Sequence, residues 1–105
     1  MATSSTVIKK WLWLHTQDNV AVALWDFSKG DTVEISGREL ILKDPINYGH
    51  KFAITDIHEG ESIIKYAETI GVAGKEILAG EHVHVHNVKS LRARRSSTDA
   101  GTHGV

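Results

Sequence analysis

The chain has no cysteine, which excludes disulfides, thiolate catalysis and cysteine-ligated zinc and leaves histidine and carboxylate groups as its strong metal ligands. It also lacks an excess of either charge: twelve basic and thirteen acidic residues give a formal charge of -1 with histidines neutral. That is not the electrostatic footprint of a nucleic-acid or anionic-membrane binder. No apolar run approaches the ~20 residues of a membrane span, and the lysines of MATSSTVIKKWLWLH precede only a short apolar run. A cytoplasmic protein with neither nucleic acid nor membrane as partner is expected. Long amphipathic helices are missing too. Between Trp11 and Val88 the apolar residues come in short runs broken by glycine and acids, with no sustained 3.6-residue repeat.

What remains is a mostly β chain, and at 105 residues with 41% hydrophobic content it suits one small core. The expected layout is an N-terminal extension over 1–10, one domain over 11–91 and a tail or linker remnant over 92–105. The last segment, RARRSSTDAGTHGV, has almost no large apolar residue to repay the entropy of ordering. Its Arg92, Arg94 and Arg95 are read as a solvated cluster. Strands are expected over 10–15, 20–24, 32–35, 39–42, 51–55, 62–66 and 82–88, with a hairpin turn around Ser36, Gly37 and Arg38 because Gly37 can supply a positive φ.

Three segments share one plan: DFSKGDTV from Asp26, DIHEGESI from Asp56 and EILAGEHV from Glu76. Each runs acid, large apolar residue, two variable residues, glycine, acid, any residue, β-branched apolar residue. The apolar residues Phe27, Ile57 and Ile77 are expected to plug the core. Gly30, Gly60 and Gly80 are expected to take a turn conformation that other residues adopt at a cost. Asp18 and Asn19 have the composition of a further turn. Trp11, Trp13 and Trp25 offer more apolar surface than so small a domain buries, and an exposed patch there would be a docking face.

The third repeat runs on into GEHVHVHNV, with His82, His84 and His86 at alternate positions. On a strand, residues two apart lie ~7 Å apart on one face and residues four apart ~14 Å apart. Two neighbouring imidazoles can therefore share an ion and all three cannot. Such a site uses His84 with His82 or His86, completed by His50 or His15, while Val83 and Val85 point to the core. Imidazole suits manganese, iron or zinc and binds magnesium poorly. Spacing alone leaves a second reading open, a polar strand face without chemistry. His50 and Lys51 follow Gly49, which permits close approach of a ligand. An imidazole there suits acid–base work, and an ammonium suits a carboxylate. Lys65 is a weaker candidate of the same kind. Asn87 is suited either to capping a turn or to bonding a substrate hydroxyl. His58, at a variable repeat position, and His103, in the tail, are given no role.

HTQDNVAVAL (His15 to Leu24), GHKFAITD (Gly49 to Asp56), IIKYAETIG (Ile63 to Gly71) and GEHVHVHN (Gly80 to Asn87) together resemble the N-terminal SAF-type domain of the altronate and galactarate dehydratase family. The chain is also similar to the small subunit of sulfolactate sulfo-lyase, where this domain is a separate chain beside a large one. The resemblance implies a small SAF-type β-clip domain that completes the active site of a large dehydratase domain or subunit. It implies a sugar acid or sulfonated hydroxy acid as substrate, and iron or manganese as the divalent metal. On this reading His82 and His84 hold metal, His50, Lys51 and His86 are catalytic, and Lys51, Lys65 and Asn87 bind substrate. Ala67 departs from the family, which usually has glycine there, so a positive φ at this position would strain the alanine. A ligand-binding module without catalysis and an oligomerisation domain, including a homo-oligomer, are the alternatives.

Overall fold

The computed structural model describes residues 9–90. The expected tail over 92–105, with Arg92, Arg94, Arg95 and His103, lies outside the described residues, as does most of the N-terminal extension. The described residues contain nine short strands, no helix, and only antiparallel pairing. Strands β1 (Trp11–Leu12), β2 (Val20–Ala23), β5 (Lys51–Ala53) and β8 (His82–Val83) form one sheet in that order. β3 (Thr32–Ile35) and β4 (Arg38–Ile41) form a hairpin, and β6 (Ser62–Lys65), β7 (Glu68–Ala73) and β9 (Val88–Lys89) form a three-stranded sheet.

The repeat governs this architecture. Phe27, Ile57 and Ile77 are all buried, and Gly30, Gly60 and Gly80 all have φ near +90° (94°, 89° and 93°). The acids of the repeat turn out to be caps. Asp31 accepts the Ser28 N–H, Glu61 the His58 N–H and Glu81 the Leu78 N–H, each at 2.8 Å. Sequence reading missed a fourth copy: Ile46 is fully buried and Gly49 has φ 85°. It was hidden because Pro45 and His50 stand where the other copies have acids.

The four turns pair as Phe27 with Ile46 and Ile57 with Ile77, each pair exchanging two backbone hydrogen bonds of 2.7–3.0 Å. The domain is thus two similar halves, each a hairpin between two paired turns. Each half has its own core. Phe27, Val33, Ile35, Leu42, Ile46 and Phe52 lie in one, and Val20, Ile57, Ile63, Ile77 and Val83 in the other.

Three expectations need correction. The strand over 10–15 ends at Leu12, because Trp13 donates its indole N–H to the Asp18 carbonyl and the chain turns away. β7 was not expected at all, although at six residues it is the longest strand. The turn before it uses Tyr66 and Ala67 at φ 55° and 65°, the counterpart of Ser36 (56°) and Gly37 (77°), and neither residue signals a turn. Ala67 therefore does take the positive φ that favours glycine. Buried Asp18 holds it there by accepting the Ala67 N–H at 2.7 Å. Burial pushes the Asp18 carboxyl up, but backbone donors of Ala67, Tyr66, His15 and Leu14 outweigh it and leave the group below the usual range. Finally, the strand over 82–88 is broken. β8 stops at Val83, a turn occupies 84–87 and β9 begins at Val88. Val83 is buried as expected, but Val85 is 82% exposed.

Candidate functional site

β5 and β8 pair with Lys51 opposite Val83 and Phe52 opposite His82. His50, just before β5, and His84, just after β8, therefore meet at the same end, and their rings stack with centroids 4.4 Å apart. His82 joins them, its ring centroid 5.1 Å from His50 and 5.3 Å from His84. His50 Nδ1 lies 2.9 Å from His82 Nε2. His50 is free to do this because it replaces the capping acid of its turn.

One nitrogen from each of His50, His82 and His84 can be chosen so that all lie within 4.8 Å of one another. Tetrahedral donors at about 2.0–2.1 Å from an ion stand about 3.3 Å apart, so the donor set fits a metal once the stacked rings turn to aim their nitrogens at a common point. The alternation read from the sequence brought His82 and His84 together with His50 rather than with His15, which is exposed and outside this group. His86 is exposed, with its ring tilted 38° to that of His82 at 5.4 Å. His58 stands apart, bonded to Glu76 at 2.9 Å; that contact and the neighbouring Glu61 and Asp56 raise its pKa.

Two of these imidazoles, His82 and His84, are biased toward the neutral form. Burial first, then the charges of His50, His84 and His86, push the His82 imidazole below its usual range, with Asp44 opposing. Desolvation first, then His50, Lys51 and His86, push His84 the same way. Lys51 is half-buried and its ammonium is also lowered, by burial and then by the charge of Lys65. Lys65 itself lies 4.9 Å from the Tyr66 ring centre. Lys51 thus stands beside His84 with Lys65 near it, and among the described residues the ion pair that forms, His58 with Glu76, is elsewhere.

Two residues fix the cluster: Asp44, whose part the sequence did not reveal, and Asn87, which takes the turn-capping role that was one of its two expected ones. The Asp44 carboxylate accepts the His82 N–H at 2.9 Å. Asn87, only 3% exposed, accepts the His84 N–H at 2.9 Å and donates to the His82 carbonyl at 2.8 Å. Its amide is committed to the histidine turn. Asn87→Ala leaves both backbone groups without their partner, at a cost of about 1–3 kcal/mol. A fall in Tm of at least about 4 °C is expected, since 1 kcal/mol shifts a domain of this size by about 4–8 °C. An unchanged Tm would deny Asn87 this role.

A family model described as the altronate/galactarate dehydratase SAF domain matches residues 9–91. The chain belongs to this SAF-domain family. Altronate dehydratase of Bacillus subtilis is 45% identical over 83 residues, which are 79% of this chain and 17% of that protein. The Escherichia coli altronate dehydratase is 43% identical over 81 residues, 77% of this chain and 16% of that protein. The chain thus spans about a sixth of the length of these relatives. The alpha subunit of (2R)-sulfolactate sulfo-lyase from Chromohalobacter salexigens is 55% identical over 51 residues, 49% of this chain and 54% of that subunit. The SAF domain described here is accordingly an all-β unit homologous to part of known lyases.

Proposed function

We propose that this SAF domain is the small subunit or N-terminal domain of a sugar-acid dehydratase or related carbon–sulfur lyase, and that it completes the active site of a larger chain. The observation that carries this reading is the convergence of three imidazoles with an unpaired, half-buried lysine at one end of β5 and β8. Dehydration of a 2,3-dihydroxy acid removes the proton next to the carboxylate and expels the neighbouring hydroxyl, which leaves as water. Lys51 and Lys65 hold the carboxylate or sulfonate of the substrate. The exposed imidazole of His86 moves a proton. His50, His82 and His84 would hold iron or manganese, whose Lewis acidity would assist departure of the leaving group. A chain this small encloses little of a sugar acid, because pockets of that size form between domains.

The isolated chain is expected to turn over none of altronate, galactarate or sulfolactate, even with added manganese or iron. Residues 9–91, grafted into full-length B. subtilis altronate dehydratase in place of its own matching region, should retain altronate turnover within about tenfold. Turnover by the pure isolated chain, or a folded chimera without activity, defeats the reading.

A further inference from the structure

The two most exposed large apolar side chains among the described residues are Val85, at 82%, and Tyr48, at 65%. Both flank the imidazole cluster. Continuing outward from the Lys51–Val83 pair, the chain runs through His50 and Gly49 to Tyr48 on one side and through His84 to Val85 and His86 on the other. Tyr48 sits in the turn that delivers His50, its N–H held by Asp26 at 2.7 Å. Val85 sits in the turn closed by Asn87. Nothing about the local backbone calls for apolar residues here. Burying a valine or tyrosine against another chain is worth about 1.5–3 kcal/mol each, so two such side chains beside a polar centre have the makeup of an interface that closes over it.

The charge between these two side chains says what closes it. Two ammonium groups, Lys51 and Lys65, stand close to each other, with Lys51 beside His84. Neither lysine has a carboxylate in an ion pair among the described residues, where the ion pair is His58 with Glu76, and Asp44 is spent on the His82 N–H. A second copy of this face would set like charges against each other. We infer that Tyr48 and Val85 are the anchors on which the large lyase domain docks, and that this domain presents a carboxylate to the cluster beside Lys51. This inference rests on the function proposed above. It also accords with the relatives in which the matching region is 16–17% of a longer protein.

The chain's lack of cysteine makes a direct test possible. Val85→Cys, Tyr48→Cys and, as a control, Arg38→Cys at the start of the β3–β4 hairpin's second strand are each labelled with a maleimide. Labelling is followed by site-resolved mass spectrometry in the isolated chain and in the full-length altronate dehydratase chimera. Val85→Cys and Tyr48→Cys should react at least tenfold more slowly in the chimera, while Arg38→Cys reacts at its isolated rate. In unlabelled chimera, Tyr48→Asp with Val85→Asp should lower altronate turnover at least tenfold. Labelling of both positions at the isolated rate overturns the docking face, as does equal slowing at all three. Protection of Val85→Cys already in a dimer of the isolated chain gives the face to a second copy and also overturns it. A chimera that protects both cysteines yet does not dehydrate altronate keeps the docking face and removes the proposed function. An active chimera with both cysteines reactive does the reverse.

Discussion

His50→Gln and His84→Gln should each weaken binding of zinc or manganese to the isolated chain at pH 7.5 by at least about 100-fold. Loss of an outer-shell partner alone typically costs about 10–100-fold in metal affinity, and each of these substitutions removes one of three direct donors. The parent is expected to bind weakly, because three imidazoles without a carboxylate make an incomplete shell for a divalent ion. His58→Gln is the control, since His58 is bonded to Glu76 away from the cluster.

The pH dependence has a definite sign. His82 and His84 have folded pKa values below the ordinary ~6.5 of histidine, so at pH 7.5 the nitrogens are free for metal. As pH falls below about 6.5, the unfolded chain takes up protons before the folded one. Stability contributed by the neutral imidazoles is therefore full above that pH and is lost as pH falls toward their folded pKa values. Metal binding fades over the same range, because protons and metal compete for the same lone pairs. Calorimetric titration with metal at pH 7.5 and 5.5 reads the binding, and urea denaturation at the same two pH values reads the stability. Tighter binding at pH 5.5, or affinity unaffected by His50→Gln, would take the metal away from this cluster.

Gly80→Ala is expected to destabilise the domain by about 2–5 kcal/mol, a large part of the ~5–15 kcal/mol that holds a typical domain together. Gly30 and Gly80 share nearly the same φ, 94° and 93°, so an alanine at either carries the same left-handed strain, about 1–2 kcal/mol. They differ in surroundings. A Cβ at Gly30 meets nothing within 4 Å, whereas one at Gly80 overlaps the carbonyl oxygen of Ile41 and comes within 3.3 Å of Lys43 N. Both are backbone atoms that cannot swing away, and overpacking of this kind costs about 1–3 kcal/mol more. The contact matters for function because the Gly80 carbonyl accepts the Lys43 N–H at 2.8 Å, next to the Asp44 that fixes His82. Urea denaturation of the two variants separates strain from overlap as a difference in midpoint at constant slope. Equal midpoints for Gly30→Ala and Gly80→Ala would refute the overlap.

The repeat was the most legible part of the fold, because a plug, a positive-φ glycine and a capping acid are each a local requirement with its own residue type. Where local chemistry was altered, sequence reading failed. Tyr66 and Ala67 make a turn without turn residues, so β7 went unseen; distant Asp18 stabilises it through a hydrogen bond no local pattern encodes. The histidine strand failed similarly. Alternation of His and Val is a strand pattern, but Asn87 folds back on His84 and His82 and converts the second half into a turn that expels Val85.

For the site, the sequence by itself bounded the chemistry: with no cysteine, the strong metal donors are histidine and carboxylate groups, and the imidazoles come in one dense run. It also determined the all-β class, through short apolar runs without helical period, and the family, through the ordered segments of residues 9–91. Only the tertiary structure decided which histidines meet. His50 and His84 are 34 positions apart in the numbering and become neighbours because β5 and β8 pair antiparallel with Lys51 opposite Val83. That register is set by the burial of Phe52 and Val83 in the core, a long-range packing requirement that the spacing of the histidines does not carry.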